Sequence, residues 1–321
     1  MNENAETPEF SFVVPLFQTG DGLPSLLAAF RELRLAQSWE LVLVDDGSSD
    51  GTFDRVRELT AHFPAPVVLV ELARNYGEHA AVLEGYRRSR GMWVVNLDDD
   101  LQNPVGEAVR LLEHLRTSGA EVVYSRYETK QHSLLRNVAS RLANHFATLL
   151  LGKPAKLYLS SFRALRRELV ERIITYHGPY PYIDGLILGA TRHISTLEVR
   201  HDPRIQGRSQ YSLTRLIRLS LSLLFDFSIM PLRLASVLGV ILCLGGAAVL
   251  AIVLLEMITV GARQAGWGSL MGALAIFSGA QLLMLGIIGE YVGRAFLTVS
   301  GKPQSLVRTM IHRDAAAPDC T

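Results

Sequence analysis

Short apolar, β-branched runs alternate with amphipathic stretches over the first 210 residues of the chain. Phe12–Val14, Glu40–Val44, Val67–Leu72, Trp93–Leu97 and Glu121–Tyr124 read as strands, most of them continuous apolar runs rather than strict alternations. Between them, Leu23–Leu33, Thr52–His62, Glu78–Arg90 and Val105–Thr117 carry the helical period. Doubly buried strands alternating with helices predict an α/β domain on a mostly parallel sheet covered on both faces.

The pattern changes near the C-terminus. Leu234–Leu255 runs for 22 residues without a charge, and Trp267–Gly289 for 23 with Gln281 as its one large polar side chain. Each is long enough to cross a hydrocarbon core of ~30 Å as a helix. Arg215, Arg218 and Arg233 precede the first run, and Arg294, Lys302, Arg308 and Arg313 follow the second, while Glu256–Gly266 between them holds one acid and one arginine. Positive-inside bias then puts both ends of the hairpin, and both chain termini, in the cytoplasm of a multi-pass protein of the inner membrane. Leu213–Phe227, with Arg215 and Arg218 among leucines and serines, fits a helix lying in the interface. Glycines at 239, 245, 246, 272, 279, 286 and 289 let helices approach closely, within the hairpin or between copies in a homo-oligomer. The expected organisation is a cytoplasmic domain over 1–210, an interfacial region over 211–232, a hairpin over 233–296 and a cytoplasmic tail over 297–321.

Composition agrees with membrane contact: 49% of the residues are hydrophobic and 20% charged, with a mean hydropathy of +0.20. A formal net charge of +1 gives no global field for nucleic acid, so phosphate recognition must be local. Cys243 and Cys320 form neither a disulfide framework nor a cysteine metal site. Met1–Glu9 is polar and acidic, without the basic and apolar segments of a signal peptide.

Ligands of open parallel sheets sit at the carboxyl ends of the strands. The second expected strand ends in Asp45-Asp46-Gly47-Ser48-Ser49-Asp50-Gly51-Thr52, where Asp50 suits a helix cap but the Asp45–Asp46 pair has no such explanation. The fourth ends in Asn96-Leu97-Asp98-Asp99-Asp100-Leu101-Gln102-Asn103-Pro104, three adjacent acids that repel one another and call for a cation. In an extended chain Asp98, Asp100 and Gln102 point to one side and offer hard oxygen ligands to magnesium or manganese. Two carboxylates suffice where substrate phosphates and water complete the shell.

VDDGSSDGT, LARNYGEHAA, LDDDLQNP and the paired apolar runs occur in one order over about residues 10–310, and in this the chain resembles family 2 glycosyltransferases that act on polyprenyl phosphates. That group includes dolichyl-phosphate mannose synthases and bacterial undecaprenyl-phosphate sugar transferases. The resemblance implies a GT-A fold, a nucleotide-sugar donor, a lipid phosphate acceptor, and a magnesium or manganese ion at Asp98, Asp100 and Gln102. Donor contacts are implied at Pro15, Phe17, Asp45, Asp46, Arg74, Asn75, Gly77, Asp98 and Asp99, with Asp100 also catalytic. Contacts to phosphate or acceptor are implied at Arg126, Lys130, Arg136, Arg204 and Ser209, with Gly207 and Tyr211 in the same segment; basic residues in a polar loop bind anions directly.

Three departures bear on mechanism. Pro15-Leu16-Phe17-Gln18-Thr19 lacks the acid of the family's PVYNE, leaving uridine as the default nucleoside. Lys156-Leu157 stands where related sequences often carry Gly-Asp, whose acid is a proposed catalytic base. Gly178-Pro179-Tyr180-Pro181-Tyr182-Ile183-Asp184-Gly185 brings a new carboxylate. Asp184 either replaces the missing acid, binding sugar hydroxyls or orienting the acceptor, or is a first-turn helix acid. His79 reads as a first-turn helix residue beside the donor turn. A phosphate monoester, with a second pKa of ~6, attacks without a base.

The expected activity is inverting, metal-dependent transfer of a sugar, by default from a UDP-sugar, to undecaprenyl or a similar polyprenyl phosphate, for cell-envelope glycan or lipid modification. The alternative is a non-catalytic membrane protein that binds lipid or nucleotide on the same fold. A processive synthase is disfavoured by only two spans and no Gln-x-x-Arg-Trp, and a Rossmann dehydrogenase by the lack of Gly-x-Gly-x-x-Gly after the first strand. Glucose, an N-acetylhexosamine, a uronic acid and a modified aminopentose all remain candidate sugars.

Overall fold

In the computed structural model of the chain, the residues described are 7–127, 157–178, 181–200, 230–260, 266–301 and 303–316. The five expected strands form as β1 (Phe10–Leu16), β2 (Trp39–Asp45), β3 (Val67–Leu72), β4 (Trp93–Asn96) and β5 (Val122–Arg126). The four expected helices form as α1 (Leu23–Arg31), α2 (Thr52–Leu59), α3 (Glu78–Arg88) and α4 (Val105–Ser118). Parallel pairs β1–β2, β2–β3 and β1–β4 make the centre of the sheet, so the chain reverses its direction of travel across the sheet between β1 and β4.

The sheet is larger and more mixed than the sequence pattern suggests. β6 (Arg163–Arg166) runs antiparallel to β4 and β5, β7 (Ile194–Glu198) parallel to β5, and β8 (Val307–Arg313) antiparallel to β3. The eight strands lie in the order β7-β5-β6-β4-β1-β2-β3-β8. Among the described residues two further helices follow, α5 (Arg167–Ile174) and α6 (Ile183–Ala190).

Side-chain alternation along β1 divides the core. Phe10, Phe12, Val14 and Leu16 face α1, α2 and α4, whereas Val13 faces α3, α5 and α6 with Val42, Val44, Val68 and Val70. Both faces of the central strands are therefore dry, which explains the continuous apolar runs. Phe12, Phe30, Trp39 and Phe63 make successive ring contacts at 5.4–6.4 Å on the first face. At the amino ends of the strands Glu40, fully buried, accepts from Ser11 Oγ at 2.6 Å and from the Arg90 N–H at 2.6 Å. Ser11 and Glu40 are register partners, so this buried polar pair also pins the β1–β2 alignment.

The chain divides into two units, 1–210 with 302–321, and 211–301. The segment expected as a tail after the apolar region thus returns to the α/β unit and supplies β8 as its edge strand. Arg308 bonds Glu71 at 2.7 Å and the Ala73 carbonyl at 2.7 Å, and the Gln304 amide donates to the carbonyls of Tyr176 at 2.9 Å and Gly178 at 2.6 Å.

In the other unit, α7 (Met230–Val260) and α8 (Trp267–Val299) are longer than the apolar runs that announced them. Ile276–Val299 is long and apolar enough to cross a membrane and is the one segment of that kind among the described residues; it overlaps the second expected run and ends ten residues beyond it. In α7, Ala235–Gly246 is a shorter apolar stretch among the described residues. Leu282, Leu283, Leu285, Val292 and Phe296 of α8 are each more than 60% exposed, an arrangement that an aqueous surface would penalise. A Cβ on Gly239 would lie 3.0 Å from the Met284 methyl group, so this glycine permits the approach of the two helices, whereas one on Gly245, Gly279, Gly286 or Gly289 would meet open space. The expected interfacial helix over Leu213–Phe227 lies outside the described residues.

Removal of residues 303–321 exposes the edge of β3, whose Val67–Val70 run is buried. The detergent-solubilised truncation is expected to elute largely as aggregate in size-exclusion chromatography, while a chain ending at Ala316 behaves as full length.

Candidate active site

The carboxyl ends of β1, β2, β3 and β4 lie side by side, and the change of direction between β1 and β4 opens the crevice where such sheets bind ligands. The loop after β1 carries Phe17, 45% exposed, and Gln18 with a positive φ of 52°; Pro15, half-buried, is the penultimate residue of the strand. The Gln18 N–H donates to Ser48 Oγ at 2.9 Å, and Thr19 Oγ1 donates to Asp99 Oδ2. Asp99 thereby joins the loops after β1 and β4 across the crevice.

Asp45 and Asp46 are both buried and have different tasks. Asp46 Oδ1 accepts from the Tyr76 N–H at 2.7 Å and Oδ2 from the Gly77 N–H at 2.8 Å, which fixes the turn from β3 into α3. Gly47 makes this closeness tolerable: its φ is +66°, and a Cβ there would lie 2.3 Å from the Arg74 carbonyl carbon. Asp45 Oδ2 accepts from the Ser48 N–H at 3.0 Å, while Oδ1 is buried with no partner among the described residues. An orphaned carboxylate oxygen at this depth is costly unless a ligand donates to it. Burial pushes both acids above the ordinary carboxylate range. Asp50 holds the start of α2, accepting from the Thr52 N–H at 3.1 Å.

Arg74 and Asn75 are exposed on the turn that Asp46 fixes, and the Arg74 guanidinium stands 4.9 Å over the Tyr76 ring. Gly77, with φ of 94°, precedes α3. His79 lies in the first turn of α3, as expected, with its ring edge-on to Tyr182 at 5.0 Å and its buried Nδ1 without a partner among the described residues. Burial holds its pKa below the usual histidine value.

The acidic end of β4 departs from the extended geometry expected for it. The strand stops at Asn96, and the chain turns through Leu101, whose φ is +54°. Simple alternation therefore does not place Asp98, Asp100 and Gln102 on one side; the turn brings the carboxylates together. Asp100 Oδ1 accepts from the Gln102 N–H at 3.1 Å, so the Gln102 backbone as well as its side chain belongs to this turn. Asp98 Oδ2 accepts from Ser161 Oγ at 2.8 Å. Burial, then repulsion from Glu78, Asp100 and Asp99, pushes the Asp98 carboxyl up to about 7. Burial also raises Asp99.

Among the described residues no group of three or more His, Cys, Asp or Glu side chains is placed to enclose an ion. The donor set nevertheless fits magnesium or manganese, because Asp98 and Asp100 supply hard oxygens in a field that disfavours their joint ionisation without a cation.

Two expected sites differ in position or partner. Asp184 is in the first turn of α6 and buried at 7% exposure, with its carboxylate ion-paired to Arg163 and accepting from the Tyr124 hydroxyl at 3.0 Å. Asp184 thus takes the first-turn helix position, one of the two readings its sequence allowed, with its carboxylate engaged by Arg163 and Tyr124. Arg126, on β5, pairs with Glu198 at 2.8 Å on the neighbouring strand, an exposed contact that costs little to exchange for a phosphate. Lys130, Arg136, Arg204 and Ser209, with Gly207 and Tyr211, lie outside the described residues. Leu157 is buried in the core on the α3 side of the sheet.

The structure adds Thr19, Glu78, Asn96, Ser161 and Arg163 to the residues around the site. Arg163 left a signal in the sequence, a charge inside the apolar stretch Phe162-Arg163-Ala164-Leu165.

Fold and site together define an α/β domain with an acidic, oxygen-rich crevice at the point where strand order reverses. Residues 11–174 match the family model for glycosyl transferase family 2, and the chain belongs to that family. It is 36% identical over 311 residues to undecaprenyl-phosphate 4-deoxy-4-formamido-L-arabinose transferase of Pseudomonas aeruginosa (strain LESB58), covering 96% of this chain and 91% of that one. The Serratia proteamaculans (strain 568) protein of the same name is 34% identical over 307 residues, covering 94% and 93%. Among solved structures, glucosyl-3-phosphoglycerate synthase from Mycobacterium tuberculosis, in complex with Mn2+, UDP and glucosyl-3-phosphoglycerate, superposes with a TM-score of 0.51 at 22% identity, covering 68% of this chain and 79% of that one. This likeness shows the shared fold of the α/β domain.

Two outcomes follow from the geometry. Because the Asp98 carboxyl is held up to about 7, it is protonated below that pH and must lose its proton to ligate. Mn2+ affinity, measured by titration calorimetry, is expected to fall by about tenfold per pH unit below 7 and to level off above it. Asp46→Ala leaves the Tyr76 and Gly77 N–H groups without their acceptor and is expected to cost roughly 3 kcal/mol in a denaturation experiment, with a raised KM for donor.

Proposed function

We propose that the chain transfers a sugar from a UDP-sugar to undecaprenyl phosphate at the cytoplasmic face of the inner membrane, with α7 and α8 together forming a two-span hairpin and both termini cytoplasmic. The observation that carries this reading is the acidic crevice between β1, β2 and β4, with one Asp45 oxygen unpartnered and Asp98 crowded by other acids, in a chain that also bears the apolar Ile276–Val299. Its similarity to undecaprenyl-phosphate transferases extends over 96% of the chain, apolar helices included.

The residues divide the work by chemistry. Asp45 Oδ1 accepts from a donor group of the nucleoside, with Pro15 and Phe17 beside it. Arg74, Asn75 and Gly77 contact the donor from the turn that Asp46 holds. A divalent cation on Asp98 and Asp100, with Gln102 in the same turn, would neutralise charge on the departing diphosphate. Asp99, tied to Thr19, keeps the loops after β1 and β4 in register. Arg126, Lys130, Arg136, Arg204 and Ser209 receive the phosphates of donor and acceptor.

A lipid phosphate oxygen attacks the anomeric carbon as the bond from that carbon to the diphosphate breaks, with inversion and release of UDP. The attacking phosphate has a second pKa of ~6 and carries no proton that a base must remove at neutral pH. That chemistry is compatible with an apolar Leu157 and with Asp184 paired to Arg163. Orientation and stabilisation of the leaving group then supply the rate.

The relatives' names make UDP-4-deoxy-4-formamido-L-arabinose the first donor to offer, beside UDP-glucose, UDP-N-acetylhexosamines and UDP-uronic acids. Detergent-purified protein with undecaprenyl phosphate and Mn2+ is expected to release UDP and form one new glycolipid by mass spectrometry. Asp98→Ala is expected to lower that turnover by roughly a hundredfold or more. Binding of donor and lipid without turnover, across the whole donor panel, would favour a non-catalytic binding protein instead.

A further inference from the structure

A buried ion pair sits one hydrogen-bond relay away from Asp98. Arg163 is 1% exposed and lies directly opposite Asn96 in the β4–β6 register, two residues before Asp98. Its guanidinium is paired with Asp184, donates from Nε to Asn96 Oδ1 at 3.2 Å and from Nη1 to the Ser160 carbonyl at 3.4 Å. Asn96 also accepts from the Tyr86 hydroxyl at 2.6 Å and donates through Nδ2 to the Ser161 carbonyl. Both carbonyls of the Ser160–Ser161 step are therefore held by the pair Arg163 and Asn96, and Ser161 Oγ reaches Asp98.

We propose that Arg163 and Asp184 are positioning residues, which set the rotation of the Asp98 carboxylate through Asn96 and Ser161 and thereby fix its aim at the cation and diphosphate. Neither touches the reacting atoms. Taking two charges out of water is costly, and apolar side chains of similar volume would pack the same space as well, so stability alone gives a weak account of the pair. A guanidinium offers several donors in a rigid fork, and here they go to three different segments: Asp184 at the start of α6, Asn96 on β4, and the Ser160 carbonyl before β6. The Tyr124 hydroxyl, at 3.0 Å from Asp184, fixes the far side of the pair. Carboxylates that ligate metals depend on such outer partners for orientation.

This inference rests on the proposed cation site at Asp98, and the test separates the two. Mn2+ binding to full-length protein in detergent with UDP present is followed by the loss of the free Mn2+ signal in electron paramagnetic resonance, beside Mn2+ activation of UDP release. Ser161→Ala removes the last link and leaves the ion pair untouched; Asp184→Asn removes the counter-charge. Both are expected to weaken Mn2+ binding by about tenfold or more, the range seen when an outer-shell partner is lost, with KM for undecaprenyl phosphate unchanged. Ser161→Thr, which keeps the hydroxyl, is expected to restore binding. Ser161→Ala with wild-type Mn2+ affinity overturns the relay, whether or not Asp184→Asn folds. A folded Asp184→Asn with a lowered melting temperature and unchanged Mn2+ affinity also overturns it, leaving a structural pair. Wild-type Mn2+ binding in Asp98→Asn overturns the cation site itself, and the relay with it.

Discussion

Crowded negative charge at the carboxyl ends of parallel strands is the constraint around which this domain is arranged. Asp45, Asp46, Asp98, Asp99, Asp100 and Glu78 converge on one crevice, and burial pushes several of the aspartates above their ordinary range. The protein offsets part of that cost locally: Asp46 takes the Tyr76 and Gly77 N–H groups, Asp99 the Thr19 hydroxyl, and Asp98 the Ser161 hydroxyl. What is left over, an unpartnered oxygen on Asp45 and a repelled carboxyl at Asp98, is the part that a nucleoside and a cation can satisfy. On the proposed function, unrelieved electrostatic cost and ligand recognition would be two aspects of the same residues.

The neighbouring loops owe their shapes to the same demand. Gly47 has a positive φ and no side chain because the loop after β2 must come against the backbone at Arg74 for Asp46 to reach its two donors. Leu101 adopts a left-handed conformation because the chain must turn sharply to gather its acids at the end of β4. On the opposite side of β4 the buried Arg163 returns positive charge to the region, neutralised in turn by Asp184. In this chain Asp184 is therefore understood through Arg163, and the apolar Leu157 is understood as core.

Much of the fold was legible along the chain, for a physical reason. Strands buried on both faces need uninterrupted apolar runs, and helices covering them need a periodic stripe, so β1 to β5 and α1 to α4 stand out one by one. β6 was hidden because its four residues begin and end in arginine, and β7 because it is a half-exposed edge strand. β8 does alternate, with Val307, Thr309 and Ile311 half-buried between exposed neighbours, but nothing local says that it pairs with β3, which lies more than two hundred residues earlier. Edge strands draw their stability from a partner that only the fold supplies.

The sequence by itself determined the class of chemistry: acids that follow apolar strands, an ordered set of family motifs, and apolar runs long enough to meet a membrane. These are local properties, since a carboxylate after a buried strand has few places to go and an uncharged helix of that length has one natural solvent. Tertiary structure decided what each of those groups does. Asp45 and Asp46 are adjacent in sequence, yet one holds a turn while the other keeps a buried oxygen without a partner among the described residues, because only Asp46 lies within reach of the β3–α3 backbone. For Asp184 the sequence left two readings open, and its partner Arg163 lies on a strand not evident from the sequence. Charge type is fixed by the residue, but its role is fixed by the partner that folding brings within hydrogen-bond distance.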